Sequence, residues 1–208
     1  MIMRRTVSLT LTAFYAATAI IITILKLEIY YPLLPYLKFD FAEIPSVIAF
    51  IMVGPWSGFT SAIAHWLFLI HSSGNPLGAT MKFSAVSSML IGFWLANVIL
   101  RKFKKHLSDY NFLISLCTLS GGIVRVIVMS IFNIIVLTII APGYLIFAAE
   151  IIRNLIGRNV SLNEALYWTL ILTGLYNAIH VVFSAIPSIL LIKILRKRIS
   201  WIFINLGK

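Results

Sequence analysis

Lys38-Phe39-Asp40-Phe41-Ala42-Glu43-Ile44-Pro45, closed a few residues later by Gly54-Pro55-Trp56-Ser57-Gly58, is the stretch on which the fold of this chain turns. It lies between two apolar segments and combines an extended loop, a helix start and a tight turn. Asp40 and Glu43 have capping-box spacing, with a side-chain acceptor at the N-cap and a carboxylate at N3. Pro45 falls in the first turns of the helix, where its missing N–H costs least. Gly54-Pro55 then stops the helix after about a dozen residues, which is short for a full bilayer span.

Composition sets the class around this stretch. Of 208 residues, 61% are hydrophobic and 11% charged, and the mean hydropathy is +1.01. A soluble domain of this size has no interior large enough to hide that surface. The apolar runs are continuous rather than alternating, which excludes a β-barrel. The expected fold is therefore all-α: a polytopic membrane protein with six transmembrane helices in one domain, residues 1–208. The helices are predicted near 8–26, 41–53, 56–71, 77–100, 112–141 and 164–194. The first follows Arg4-Arg5, but its apolar run reaches Lys26 without a compact cleavage region, so an uncleaved span is expected. Pro142-Gly143 ends the fifth, and Ser161 to Glu164 starts the sixth. Cys117, the single cysteine, allows no intrachain disulfide.

Charge orients the bundle. Six spans put both termini, the turn at 54–56 and the loop at 101–111 on one side. That side carries Arg4, Arg5, Arg101, Lys102, Lys104, Lys105, Lys193, Arg196, Lys197, Arg198 and Lys208. The other side has Lys26, Lys38, Arg153 and Arg158, with Lys82 and Arg125 inside helices. By the positive-inside rule the termini are cytoplasmic, in a multi-pass protein of the cell membrane. The net charge of +11 thus reports topology in lipid, and nucleic acid is not an expected partner. On this orientation the Asp40–Pro45 segment lies at the outer face, behind a loop at 27–40 that forms a wall or lid.

Polar groups inside spans need a partner, a ligand or a route to water. Arg125, Asn133, Asn177 and His180 are such groups, and Arg125 has no obvious acidic partner among the helical residues. Asn133 and Asn177 are either ligand contacts or interhelical hydrogen-bonding groups. His180, one turn from Asn177, is a contact or a satisfied packing residue. Lys82 either snorkels to the outer surface or faces the interior as a cation. Phe39 and Phe41 either pack on a flat substrate or belong to an interfacial aromatic belt. Gly121-Gly122 permits close helix packing or a bend. Ala13-x-x-x-Ala17 on the first helix is a small-residue face suited to close backbone approach, either within the bundle or with a partner helix. No catalytic motif is present: the four histidines form no metal-ligand pair, and no hydrolase elbow or phosphate-cradling loop occurs. No catalytic residue, metal or cofactor is expected, and the chain is not expected to be an enzyme.

These motifs together resemble the S components of energy-coupling factor (ECF) vitamin transporters, in particular the riboflavin-binding branch. That branch has a Lys-Phe-Asp-Phe-like run, an acidic residue before a proline, and a Gly-Pro turn before the next helix. Met129-Ser130-Ile131-Phe132-Asn133 with Pro142-Gly143-Tyr144 resembles its fifth helix. Leu175-Tyr176-Asn177-Ala178-Ile179-His180 resembles its Phe-Asn-x-x-Lys pattern, with His180 in place of lysine. Gly78-Ala79-Thr80-Met81-Lys82-Phe83 departs from a Gly-Glu-x-x-Asn-Phe-like pattern, and His65 falls where a lysine-asparagine pair is common. The resemblance implies that Phe39, Lys82, Asn133, Asn177 and His180 meet a small vitamin, with riboflavin favoured. It implies that Ala13 and Ala17 dock a transmembrane coupling subunit, which separate ATPase subunits energise. Lys82 would then supply the cation missing at 180. The alternatives are an S component for another vitamin, a non-transport scaffold of rod-shape-determining type with the same bundle, and a small membrane enzyme.

Overall fold

The computed structural model describes residues 2–102 and 110–198. Lys104, Lys105, His106 and Lys208, which enter the charge and motif readings above, lie outside these residues. Seven α-helices run through the described chain: α1 (Ile2–Ile24), α2 (Ile44–Met52), α3 (Pro55–Ser72), α4 (Pro76–Lys102), α5 (Tyr110–Ile135), α6 (Gly143–Ile156) and α7 (Leu162–Arg198). Four helical segments are long and apolar enough to cross a membrane: Arg5–Ile24, Pro76–Ile99, Ser115–Ile140 and Leu162–Leu195. The shorter α2 and α3 lie against α1 and against each other, with α2 also on α7 and α3 on α4. The all-α membrane architecture therefore stands, as four long spans with two shorter helices among them.

Two elements go beyond the expected six. The loop at 27–40 contains an antiparallel ribbon, β1 (Glu28–Tyr30) paired with β2 (Lys38–Asp40), with Ile29 opposite Phe39. The segment after Pro142, expected to be an outer loop, contains α6. Its boundary signals are ordinary ones: Pro142 stands just before the first turn, Arg153 lies in the last turn, and Gly157 closes the helix in the left-handed conformation at φ 74°. Proline and glycine that end one helix here begin another. Between α5 and Pro142 the backbone widens into one π-helical turn, Val136–Ile140.

The helix start read from the sequence forms in a modified way. Asp40 caps a 3₁₀ turn, Phe41–Glu43, by accepting a hydrogen bond from the Ala42 amide at 2.6 Å. Pro45 occupies the first turn of α2. Glu43 does not reach back to close the box; its carboxylate turns into the bundle. Gly54, at φ 140°, permits the reversal into α3 with Pro55 at the first position. The Ser161 start signal is present too: its hydroxyl accepts from the Glu164 amide at 3.3 Å.

The core gathers Val47 and Phe50 of α2, Ala62 of α3, Val86, Met89, Leu90 and Phe93 of α4, and Val181, Ala185 and Ile189 of α7. The helices α4 and α5 touch backbone to backbone at Gly92 and Gly121, where the Ser120 hydroxyl also donates to the Gly92 carbonyl at 2.8 Å. A Cβ on Gly92 would lie 2.6 Å from the Gly121 Cα, whereas one on Gly122 would meet nothing within 4 Å. Of the Gly121-Gly122 pair, the first thus provides close packing. On α1, Thr12, Ala16 and Ala19 are buried against the bundle, while Ala13 and Ala17 face outward. The outward threonines Thr10 and Thr18 turn their hydroxyls onto their own helix, donating to the carbonyls of Thr6 at 3.0 Å and Phe14 at 2.8 Å.

Replacing Gly92 by alanine forces two backbones apart, and overpacking of this kind costs about 1–3 kcal/mol. Thermal unfolding in detergent is expected to show a lower midpoint for Gly92→Ala and no loss for Gly122→Ala. Equal midpoints for the two would refute the close-contact role of Gly92.

Candidate functional site

One end of the bundle holds a cavity of about 430 Å³. It lies among the ribbon, the N-terminal half of α4, the C-terminal half of α5 with its π turn, α6, and the N-terminal half of α7. By chain direction this is the end opposite the N-terminus of α1 and the C-terminus of α7, so it is also opposite the basic segments. The ribbon contributes Leu37, Lys38 and Asp40, while α4 contributes Gly78, Met81, Lys82 and Ala85. Further wall is supplied by Arg125, Met129 and Asn133 of α5 and by Tyr144 and Phe147 of α6. Thr169, Thr173, Tyr176, Asn177 and His180 of α7 complete it. Apolar walls with a few converging polar groups are what small-molecule sites have.

The ribbon is fastened over this space from several directions. Lys82 of α4 forms an ion pair with Asp40, which uses its other carboxylate oxygen to cap the 3₁₀ turn. Tyr176 donates its hydroxyl to the Lys38 carbonyl at 2.6 Å. Phe39 is stacked between Tyr176 and Phe183 at 5.0 and 5.1 Å, with Tyr31 and His180 at its edges. Within the ribbon, Lys38 pairs with Glu28 and lies 4.7 Å over the Tyr30 ring. The ammonium of Lys38, outside the spans, is held charged to higher pH by that hydrogen bond with Glu28.

A second ion pair lies beneath. Arg125, 1% exposed, grips Glu43, also 1% exposed, through both terminal nitrogens at 2.7 and 3.0 Å. Its Nε donates to the Asn177 Oδ1 at 3.0 Å, and one terminal nitrogen lies 3.1 Å from the His180 Nδ1. Ser184 donates to the same Glu43 carboxylate at 2.9 Å. The acidic partner missing from the sequence reading of Arg125 is therefore Glu43, 82 positions earlier in the chain. Local capping logic assigned that carboxylate to its own helix start, which hid the long-range pair.

Of the residues singled out in the sequence, Lys82, Asn133, Asn177 and His180 are brought together on the cavity wall. Asn133 donates to the Thr173 hydroxyl at 3.2 Å, and Asn177 donates to the Thr173 carbonyl at 2.9 Å. Phe39 is not on the wall; it packs behind it, in the cluster that holds the ribbon down. Lys82 points inward to Asp40 rather than snorkelling outward. The cation beside position 180 is Arg125, whose guanidinium lies 3.1 Å from the His180 Nδ1; a lysine at 180 would stand against that charge. His65 lies elsewhere, linking α3 to α1 through Thr23 at 2.7 Å. Sequence reasoning missed the lid residues Tyr176 and Lys38 and the α6 wall, because an aromatic or a loop carries no local mark of the cavity it faces.

Comparison with known proteins agrees with this architecture. No family model matches the chain. The riboflavin transporter RibU of Staphylococcus aureus (strain TCH60) is 35% identical over 77 residues, which make up 36% of this chain and 40% of that protein. The chain thus matches two fifths of the transporter's length. A solved structure of the S component of a bacterial ECF transporter superposes with a TM-score of 0.62 at 25% identity, covering 93% of this chain and 97% of that one. In fold, the chain is similar over nearly its whole length to the S component of a bacterial ECF transporter. Its sequence likeness is to the riboflavin branch of that group.

Removing one partner of a buried ion pair strands the other, at a cost of about 3–5 kcal/mol. Glu43→Ala is therefore expected to lower the thermal midpoint far more than Glu164→Ala, whose carboxylate pairs with Arg158 at the exposed start of α7. Similar midpoints for the two variants would remove the Arg125–Glu43 pair from any stabilising role.

Proposed function

We propose that the chain captures riboflavin, or a closely related vitamin, as the substrate-binding membrane subunit of an ECF-type importer. The observation that carries this reading is the cavity of about 430 Å³, flanked by Asn133 and Asn177 and covered by the ribbon at 28–40. An apolar slot fits a fused aromatic ring, and the asparagines and Thr173 offer hydrogen bonds to its polar edges and to hydroxyls. The likeness to RibU supports riboflavin over other vitamins. The ligand enters from the outer face, so both termini are cytoplasmic and the ribbon and α6 lie outside. Uptake then rests on a transmembrane coupling subunit and ATPase subunits, which drive reorientation of the bundle. The coupling subunit docks on the outward face of α1 at Ala13 and Ala17, where the surface is free of large side chains at both positions.

Titration of micromolar riboflavin into the detergent-purified protein is expected to show binding as quenching of flavin fluorescence. Asn133→Ala and Asn177→Ala each leave a buried ligand group unpaired, a loss of about 1–3 kcal/mol. Their dissociation constants are expected to rise about fivefold to a hundredfold. No quenching by the unmodified protein refutes riboflavin as the substrate.

Leucine at both Ala13 and Ala17 is expected to abolish co-purification with the coupling subunit while leaving riboflavin titration unchanged. Intact assembly of that variant would take α1 out of the interface. Orientation is read from single-cysteine labelling in intact cells: positions in the ribbon should react with an impermeant reagent and positions near either terminus should not. The reverse pattern would overturn the proposed topology.

A further inference from the structure

The guanidinium of Arg125 has five N–H donors and no acceptor, so every group facing it must accept. That chemistry fixes the neighbouring side chains. Asn177 must present its carbonyl oxygen to Nε, at 3.0 Å, which turns its amide nitrogen the other way. One N–H of that nitrogen is used by the Thr173 carbonyl at 2.9 Å, and the other remains for the cavity that Asn177 lines. The His180 Nδ1 lies 3.1 Å from the guanidinium and 3.0 Å from the Tyr176 hydroxyl. Its Nε2 lies 3.3 Å from both the amide nitrogen and the carbonyl oxygen of Asp40, and 3.5 Å from the Glu43 carboxylate. Both nitrogens of His180 are thus engaged by protein groups.

We infer that Arg125 is a positioning residue that sets the hydrogen-bond polarity of the cavity floor, so that Asn177 meets the ligand as a donor and the ligand atom there is an acceptor, a ring carbonyl or imine nitrogen. This rests on the proposed capture of a flavin in this cavity. His180, although on the same helical face as Asn177, holds the ribbon and does not read the ligand. Arg125 acts through Asn177 without needing to touch the ligand itself.

The test is Asn177→Asp beside Asn177→Ala. Aspartate keeps the oxygen that faces Arg125 and replaces the amide nitrogen, with its bond to the Thr173 carbonyl and its remaining N–H, by a second acceptor. Riboflavin binding by Asn177→Asp is therefore expected to fall at least as far as that of Asn177→Ala, by about tenfold or more. Ligand-free thermal unfolding of the same proteins separates this loss from loss of fold. Binding by Asn177→Asp that equals the unmodified protein's would mean that Asn177 reads the ligand through its carbonyl, and would overturn the assignment. In an Arg125→Lys background the amide is free to turn, so the penalty of Asn177→Asp is expected to shrink; an unchanged penalty would deny Arg125 the positioning role.

Infrared difference spectra of isotope-labelled riboflavin provide a readout that requires no altered charge. A carbonyl or imine stretch lowered in the complex, and restored in Asn177→Ala, is the expected result. Identical spectra from the two proteins would overturn the donor assignment even if the charged variants fail to fold. Failure of the unmodified protein to bind riboflavin would end the flavin reading and this assignment together. Binding that survives Asn177→Asp would end this assignment alone.

Discussion

The pair between Arg125 and Glu43 is the constraint on which the site depends. A guanidinium carried on a membrane-spanning helix cannot be left without an acceptor, because neither lipid tails nor apolar side chains can replace its hydration. The chain meets this need with a carboxylate that is not on any long span. A 3₁₀ turn delivers Glu43 into the bundle, and α2 must then run on from that depth. Three residues earlier, Asp40 is thereby set beside Lys82 and against His180. The ribbon, its fastening to α4 and α7, and the amide of Asn177 all take their positions from one buried contact.

The ionic groups around the cavity form a graded series. Lys38 with Glu28, at the mouth, has side chains 36% and 23% exposed; Lys82 with Asp40 has 22% and 13%; Arg125 with Glu43 has 1% and 0%. Solvent screens the outer pair, so its contribution is small. The innermost pair is expensive to separate. The covering ribbon is therefore held weakly by its outer ion pair and firmly at its root.

Much of this was legible in the sequence, for physical reasons. Long apolar runs impose helices in lipid because the backbone has no other way to satisfy itself. Gly54-Pro55, Pro45 and Ser161 mark boundaries that depend only on local chemistry, and the structure keeps them. Lys82, Asn133, Asn177 and His180 stood out because polar groups in spans need a purpose, and all four line one cavity. What escaped was long-range pairing. Glu43 has a sufficient local explanation as a cap, and nothing nearby in the chain announces Arg125. Phe39 likewise looks like a ligand platform from its neighbours, yet its surroundings are set by Tyr31, Tyr176 and Phe183 from distant segments. The helix α6 was hidden for a different reason: a proline and a glycine that end one helix are also good residues with which to begin another.

The outward threonines of α1 carry one more consequence. Thr10 and Thr18 spend their hydroxyls on the carbonyls of Thr6 and Phe14, so neither is left to seek a partner outside its own helix. A helix lying there gains close contact but no polar bond, and when it leaves, no donor or acceptor is stranded in hydrocarbon. Lipid tails can take its place at little cost. Such a face is suited to repeated joining and parting, in the manner of a bearing surface rather than a glued joint.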